Sequence, residues 1–293
     1  MRAGRYLIAL AGLGVLAAGC GTVHAGRSST PGDTLMAAVS HTSAQTARIT
    51  ITEAIQYTGM SLSYTQTGEF DFAHSRGMIT MAAPADMTEL FLPPKVYFKF
   101  SDGGSALPHG KTWAEIDTGT SGSLGDSLGP FGAESDPADM LASLEAIAGS
   151  ERIVGSARAG GVPTTEYQVN IDPAKLAAKV SASERASVQQ FIQSLGKGTI
   201  PVDVWVDSQN QVRQVRLSLH MPDGEGLPGN ARITETLDFY DFGVPVRVAA
   251  PPASQVTTLG ATGDVSVGAV SSASAEASAV PEPPSIVTAS PSP

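Results

Sequence analysis

The 293-residue chain contains one cysteine, Cys20. With no second thiol, no disulfide can staple the fold, so stability must come from its own core. Basic residues are scarce: 18 Lys and Arg stand against 28 Asp and Glu, for a net charge of −10. Neutralising phosphates needs clustered Lys and Arg, so the composition excludes a nucleic-acid binder and a polybasic membrane contact. The histidines are His24, His41, His74, His109 and His220. None lies three or four residues from another, so there is no helical zinc motif. Beyond the N-terminus no run approaches the roughly 18 apolar residues of a spanning helix.

Catalytic motifs are missing as well. No Gly-x-Ser-x-Gly elbow precedes a helix. Residues 104–112 (Gly-Ser-Ala-Leu-Pro-His-Gly-Lys-Thr) imitate a phosphate loop. That motif needs four residues between its glycines and a helix after it; here there are five, and a strand pattern follows. Asp223-Gly224-Glu225 is far too short for a calcium loop. A protein that is not an enzyme, with no cofactor and no bound metal, is expected.

What is present begins at the N-terminus. Arg2 and Arg5 precede an apolar run over 6–18, and Ala17-Ala18-Gly19 lead into Cys20. A charged segment, a short apolar segment and small residues make a secretory signal. A cysteine just after them resembles the lipobox of bacterial lipoproteins, which implies a diacylglyceryl thioether on Cys20 and cleavage after Gly19. Ala17 departs from that pattern, where a larger aliphatic residue is usual. An ordinary signal with a chance cysteine is the alternative. Removing 1–19 takes the net charge from −10 to −12, since two arginines and no acids go. Two acyl chains on Cys20 give stable anchoring where one is marginal.

Residues 20–32 read as a flexible tether with a reach of about 20 Å, and 259–293 as a disordered Ser/Ala/Pro-rich tail. One domain, 33–258, remains. Alternation of period two predicts most of it as strand. Over 60–72, Met60, Leu62, Tyr64, Phe70 and Phe72 share one face, opposite Ser61, Ser63, Thr65, Thr67, Glu69 and Asp71. Ile49, Ile51, Ile55 and Tyr57 alternate just before, and Gly59 supplies a turn. Further strands are expected at 76–82, 88–92, 95–100, 111–117, 151–158, 162–171, 200–207, 211–220, 230–240 and 244–249, with a hairpin loop at 207–210. Helices are expected over 34–47, capped by Asp33, after Asp136-Pro137, and over 174–180 and 182–195. Residues 118–134 read as a loop. Sequential strands with few helices define an α+β protein built on an antiparallel sheet.

The motifs that carry a resemblance are Gly68-Glu69-Phe70-Asp71-Phe72 with 76–81 (Arg-Gly-Met-Ile-Thr-Met), 111–117 (Lys-Thr-Trp-Ala-Glu-Ile-Asp), 201–207 (Pro-Val-Asp-Val-Trp-Val-Asp) with 212–217 (Val-Arg-Gln-Val-Arg-Leu), and 240–246 (Tyr-Asp-Phe-Gly-Val-Pro-Val) before Ala250-Pro251-Pro252. In order and spacing the chain resembles the actinobacterial LppX/LprG lipoprotein family. The resemblance implies a curved antiparallel half-barrel like the LolA/LolB carriers, with helices on the concave side and a cavity for acyl chains. Strand phase nominates Ile51, Ile55, Met60, Leu62, Tyr64, Phe70, Phe72, Phe98, Val204 and Leu217 as its lining. The same alternation also builds a fully packed core with no ligand.

The resulting expectation is a monomer, lipid-anchored on the extracytoplasmic face of the cell membrane, that binds or carries lipid or glycolipid acyl chains. A membrane-protein partner is possible alongside. The competing class is a surface sensor or interaction module that binds a protein partner and transports no lipid.

Overall fold

In the computed structural model, the described residues are 30–57, 59–82, 86–100, 107–108, 110–117, 136–145, 151–171, 200–221 and 231–258. Cys20, the tether before residue 30, the tail, the 118–134 loop and the expected helices at 174–180 and 182–195 lie outside them.

The first helix, α1 (Pro31–Ser43), starts earlier than its sequence suggests. Thr30 is the cap: its hydroxyl accepts the Asp33 N–H at 3.1 Å, and the Asp33 carboxylate accepts the Thr30 N–H at 2.9 Å. Asp33 is therefore the return half of a capping box, with Pro31 in the first turn. The helix stops at Ser43 instead of 47 because Thr46 already belongs to a strand. Leu35, Ala38, Val39 and Thr42 are buried, one stripe at i, i+3, i+4 and i+7. Thr42 also fixes the helix to the sheet, since its Oγ1 accepts the Val212 N–H at 2.9 Å. In α2 (Pro137–Glu145) the expected cap is in place, with Asp136 Oδ1 accepting the Ala138 N–H at 2.8 Å.

The strands are β1 (Thr46–Tyr57), β2 (Met60–Asp71), β3 (Arg76–Met81), β4 (Met87–Leu92), β5 (Lys95–Phe100), β6 (Trp113–Asp117), β7 (Arg152–Ala159), β8 (Val162–Ile171), β9 (Ile200–Asp207), β10 (Val212–Met221), β11 (Ala231–Tyr240) and β12 (Val256–Thr258). They form one open sheet in the order β12-β6-β5-β4-β3-β2-β1-β11-β10-β9-β8-β7. Two meanders, β1 to β6 and β7 to β11, are joined where β1 pairs with β11. Every pairing is antiparallel except β12 with β6. With both helices this is an α+β half-barrel that does not close.

Local chemistry explains the turns. Gly59 at φ +82° links β1 to β2 in a conformation that costs glycine nothing. Asp207 Oδ1 accepts the N–H groups of Gln209 and Gln211 at 2.9 and 3.0 Å, which closes the expected hairpin loop. No strand forms at 244–249: Pro245 removes a donor there, and a 3-10 turn, Ala253–Gln255, leads into β12. Phe72 is not in a strand either. β2 ends at Asp71, and Phe72 opens a 3-10 turn, Phe72–His74, that still buries its ring.

Two glycines let β2 and β3 approach and curl. A Cβ at Gly68 would run into the Met78 carbonyl oxygen, and one at Gly77 into the Phe70 ring. The Phe70 ring settles over Gly77, its register partner. It meets Phe72 at 5.2 Å and Phe91 at 5.5 Å between centroids, and Phe72 meets Phe239 at 5.6 Å. Around this aromatic cluster lie Leu35, Val39, Leu141 and Leu144 from the helices and Val202, Val204, Val215, Leu217 and Leu237 from the sheet. Each such side chain contributes about 1.5–3 kcal/mol by burial.

Candidate ligand-binding face

The inward positions follow from pairing register. On β1 they are Ala47, Ile49, Ile51, Glu53, Ile55 and Tyr57, and on β2 Phe70, Gly68, Gln66, Tyr64, Leu62 and Met60. On β11 they are Phe239, Leu237, Glu235, Ile233 and Ala231. Burial differs between their two ends, although Ala231 at the far end of β11 is also buried. Ala47, Ile49, Phe70, Leu237 and Phe239 are all at most 1 % exposed. Ile51, Ile55, Tyr57, Leu62, Tyr64 and Ile233 are half-buried, and Met60 is 53 % exposed. Among the described residues, the β1 and β2 part of this concave face is thus packed at one end and open at the other.

The nominated lining divides along this gradient. Phe70, Phe72, Val204 and Leu217 sit in the packed core with the helices. Phe98 lies in a separate small cluster with Ala114 and Ile116, edged by Met87 and Phe100. Ile51, Ile55, Leu62 and Tyr64 line the open half, and Met60 stands at its rim. Phase alone selects the face of a strand; it does not reveal how far along the strand the helices reach.

Three acids on this face were not singled out from sequence: Glu53, Glu235 and Glu89. The signal was there. Glu53 interrupts Ile51 and Ile55 at the apolar phase, and Glu235 does the same between Ile233 and Leu237. Glu53 lies opposite Glu235 on β11 and opposite Tyr64 on β2. Burial raises the Glu53 carboxyl above its ordinary range, partly offset by the hydrogen bond that the Tyr64 hydroxyl donates to it. Burial, together with the charge of Glu53, pushes Glu235 up to about 8. Burial raises the Tyr64 phenol as well, with added contributions from Glu53, Glu235 and Glu89.

The outer face is electrostatically different. There Arg216 reaches Asp203 at 2.8 Å, Arg76 reaches Asp71 at 3.0 Å and Lys95 reaches Glu115 at 2.7 Å. Arg216 also stacks 4.8 Å from the Trp205 ring. No Lys, Arg or His occupies an inward position of β1, β2, β10 or β11. Among the described residues no group of three or more His, Cys, Asp or Glu has metal-binding geometry. No described helix is long and apolar enough to cross a membrane.

No protein-family model matches the chain. An uncharacterised 31.2 kDa protein of Streptomyces griseus is 26 % identical over 171 residues, covering 56 % of this chain and 53 % of that protein. The match thus spans about half the length of that relative. The fold is similar to LprF from Mycobacterium bovis, at 12 % identity and a TM-score of 0.41, covering 76 % of this chain and 97 % of that one. It is also similar to the lipoprotein LppX from Mycobacterium tuberculosis, at 13 % identity and a TM-score of 0.38, covering 73 % and 98 %.

Proposed function

We propose that this protein is a lipid-anchored extracytoplasmic lipoprotein that holds acyl chains against the open half of its concave face. The observation that carries the reading is the run of half-buried apolar side chains, Ile51, Ile55, Leu62, Tyr64 and Ile233, continuous with a packed core and uncapped by an equivalent apolar layer among the described residues. Moving a methylene from water to such a surface is favourable by about 0.8 kcal/mol, so a long chain needs no specific polar contact to bind. No covalent step is required of a binder, which suits a chain without a recognisable nucleophile–base set. The lipobox-like run ending at Cys20 would keep the face within a tether's length of a lipid source. On this reading the ligand is the hydrocarbon of a lipid or glycolipid, and the protein is a binder or carrier and not a catalyst.

The test is to purify the chain from an actinobacterial host and identify co-purifying lipid by mass spectrometry. Stoichiometric lipid is expected; protein recovered empty, with no uptake of added diacyl lipid, would contradict the proposal. The anchor is tested separately. Cys20→Ser is expected to leave the membrane fraction while its thermal transition is unchanged, and a variant that still sediments with membrane after a salt wash would refute anchoring at Cys20.

A further inference from the structure

Glu53 and Glu235 occupy inhospitable positions on the concave face. They stand directly opposite each other in the β1–β11 register. Cβ atoms of such a pair lie about 4.5–5.5 Å apart, so two charged carboxylates there repel. Ile51 and Ile55 flank one, and Ile233 and Leu237 flank the other. On the far side of β1, the Tyr64 hydroxyl donates to Glu53. On the far side of β11, the neighbour of Glu235 is the apolar Leu217 of β10. Glu89 of β4 adds only negative field, felt at Tyr64. No basic residue stands at any inward position of β1, β2, β10 or β11, so these strands offer the two carboxyls no cationic partner.

We propose that Glu235, facing Glu53 across the β1–β11 pair, holds a proton at neutral pH, and that this proton gates acyl-chain binding on the open half. The inference rests on the lipid-binding reading above and adds its regulation. While the proton is held, the face is close to neutral and accepts hydrocarbon. When it leaves to water, with the O–H electron pair staying on the carboxylate, two like charges draw water onto the same surface and acyl chains are displaced. The elevated range of Glu235, about 8, places the release on the alkaline side of neutral.

The experiment compares the full chain with Glu53→Gln, Glu235→Gln and the double variant. N-phenyl-1-naphthylamine, uncharged throughout, is titrated into each at about pH 6 and about pH 9.5, and thermal unfolding is followed under the same conditions. The wild-type protein is expected to lose at least about tenfold in probe affinity on the alkaline side, the equivalent of one pH unit of linkage. The double variant is expected to bind equally at both values. A double variant that keeps the full wild-type loss would overturn the proposal. If wild type binds the probe at neither value, the lipid reading fails and the gate with it. An alkaline drop in Tm that the double variant abolishes would then still establish the proton at this pair; an unaltered drop would remove that too. Should the double variant not fold, Glu235→Gln alone carries the comparison.

Discussion

The packed and open halves of the concave face are built from the same strands, yet they answer to different demands. On β1, Ala47 and Ile49 are sealed beneath the helices and the aromatic cluster, while six residues further on Ile55 is half-buried. On β11, Phe239 and Leu237 are fully buried, while Glu235 is half-buried and Ile233 packs half-buried at the edge of the core. Hydrophobic alternation runs through both halves, broken by the inserted acids and by Gln66 on β2. What differs is the second layer: among the described residues, α1 and α2 cover one half and no helix covers the other. A sheet face can therefore be apolar for stability at one end and for binding at the other.

That contrast is most easily broken by truncation. Phe239→Ala empties a site walled by Phe72 and the core, and should cost about 3–5 kcal/mol in denaturant unfolding. Ile55→Ala removes a half-buried side chain on the same sheet and should cost about 1 kcal/mol while weakening lipid-probe binding. Equal stability losses in the two variants would erase the distinction.

The next effect is pH-dependent. Glu235 binds its proton more tightly folded, at about 8, than at its ordinary 4.5. Its contribution to stability is therefore complete below about 4.5 and is lost as pH rises through about 8. Asp136 acts in the same direction over a lower window. Burial lifts it to about 6 against the opposing Ala138 hydrogen bond, from an ordinary 3.8. Tm should fall between about pH 4 and about pH 8, and Glu235→Gln should flatten mainly the upper part of that fall. An unchanged profile would show that the open half holds no proton of consequence.

The smallest expected change concerns the helical layer that defines the packed half. Thr30→Ala removes one side of the α1 capping box and should cost about 1 kcal/mol, read as a lower unfolding midpoint with probe binding retained.

Much of this architecture was legible in the sequence. β2, β10 and β11 announce themselves by alternation, β9 by a valine row, and the 207–210 loop by its turn residues. Local pattern fails where structure depends on distant partners. β12 is three residues long and exists only because β6 offers an edge. The α1 start turns on a reciprocal bond between Thr30 and Asp33, and reading Asp33 alone as a cap moves the helix by a turn. The site was half legible for the same reason. Phase put Ile51, Ile55, Leu62 and Tyr64 on the right face, but it equally chose Phe70, Phe72, Val204 and Leu217, because coverage by α1 and α2 is a tertiary fact. Glu53 and Glu235 were detectable as breaks in an apolar phase, and their pairing required the β1–β11 register.

The central claim, that the open half and not the packed half meets acyl chains, is tested most directly by photocrosslinking. A diacylglycerol carrying a diazirine in one acyl chain would be bound, irradiated, and its adducts mapped by peptide mass spectrometry. The account predicts adducts on Ile51, Ile55, Leu62, Tyr64 and Ile233. Adducts confined to the outer face, or spread over β8 and β9 as densely as over β1 and β2, would contradict it.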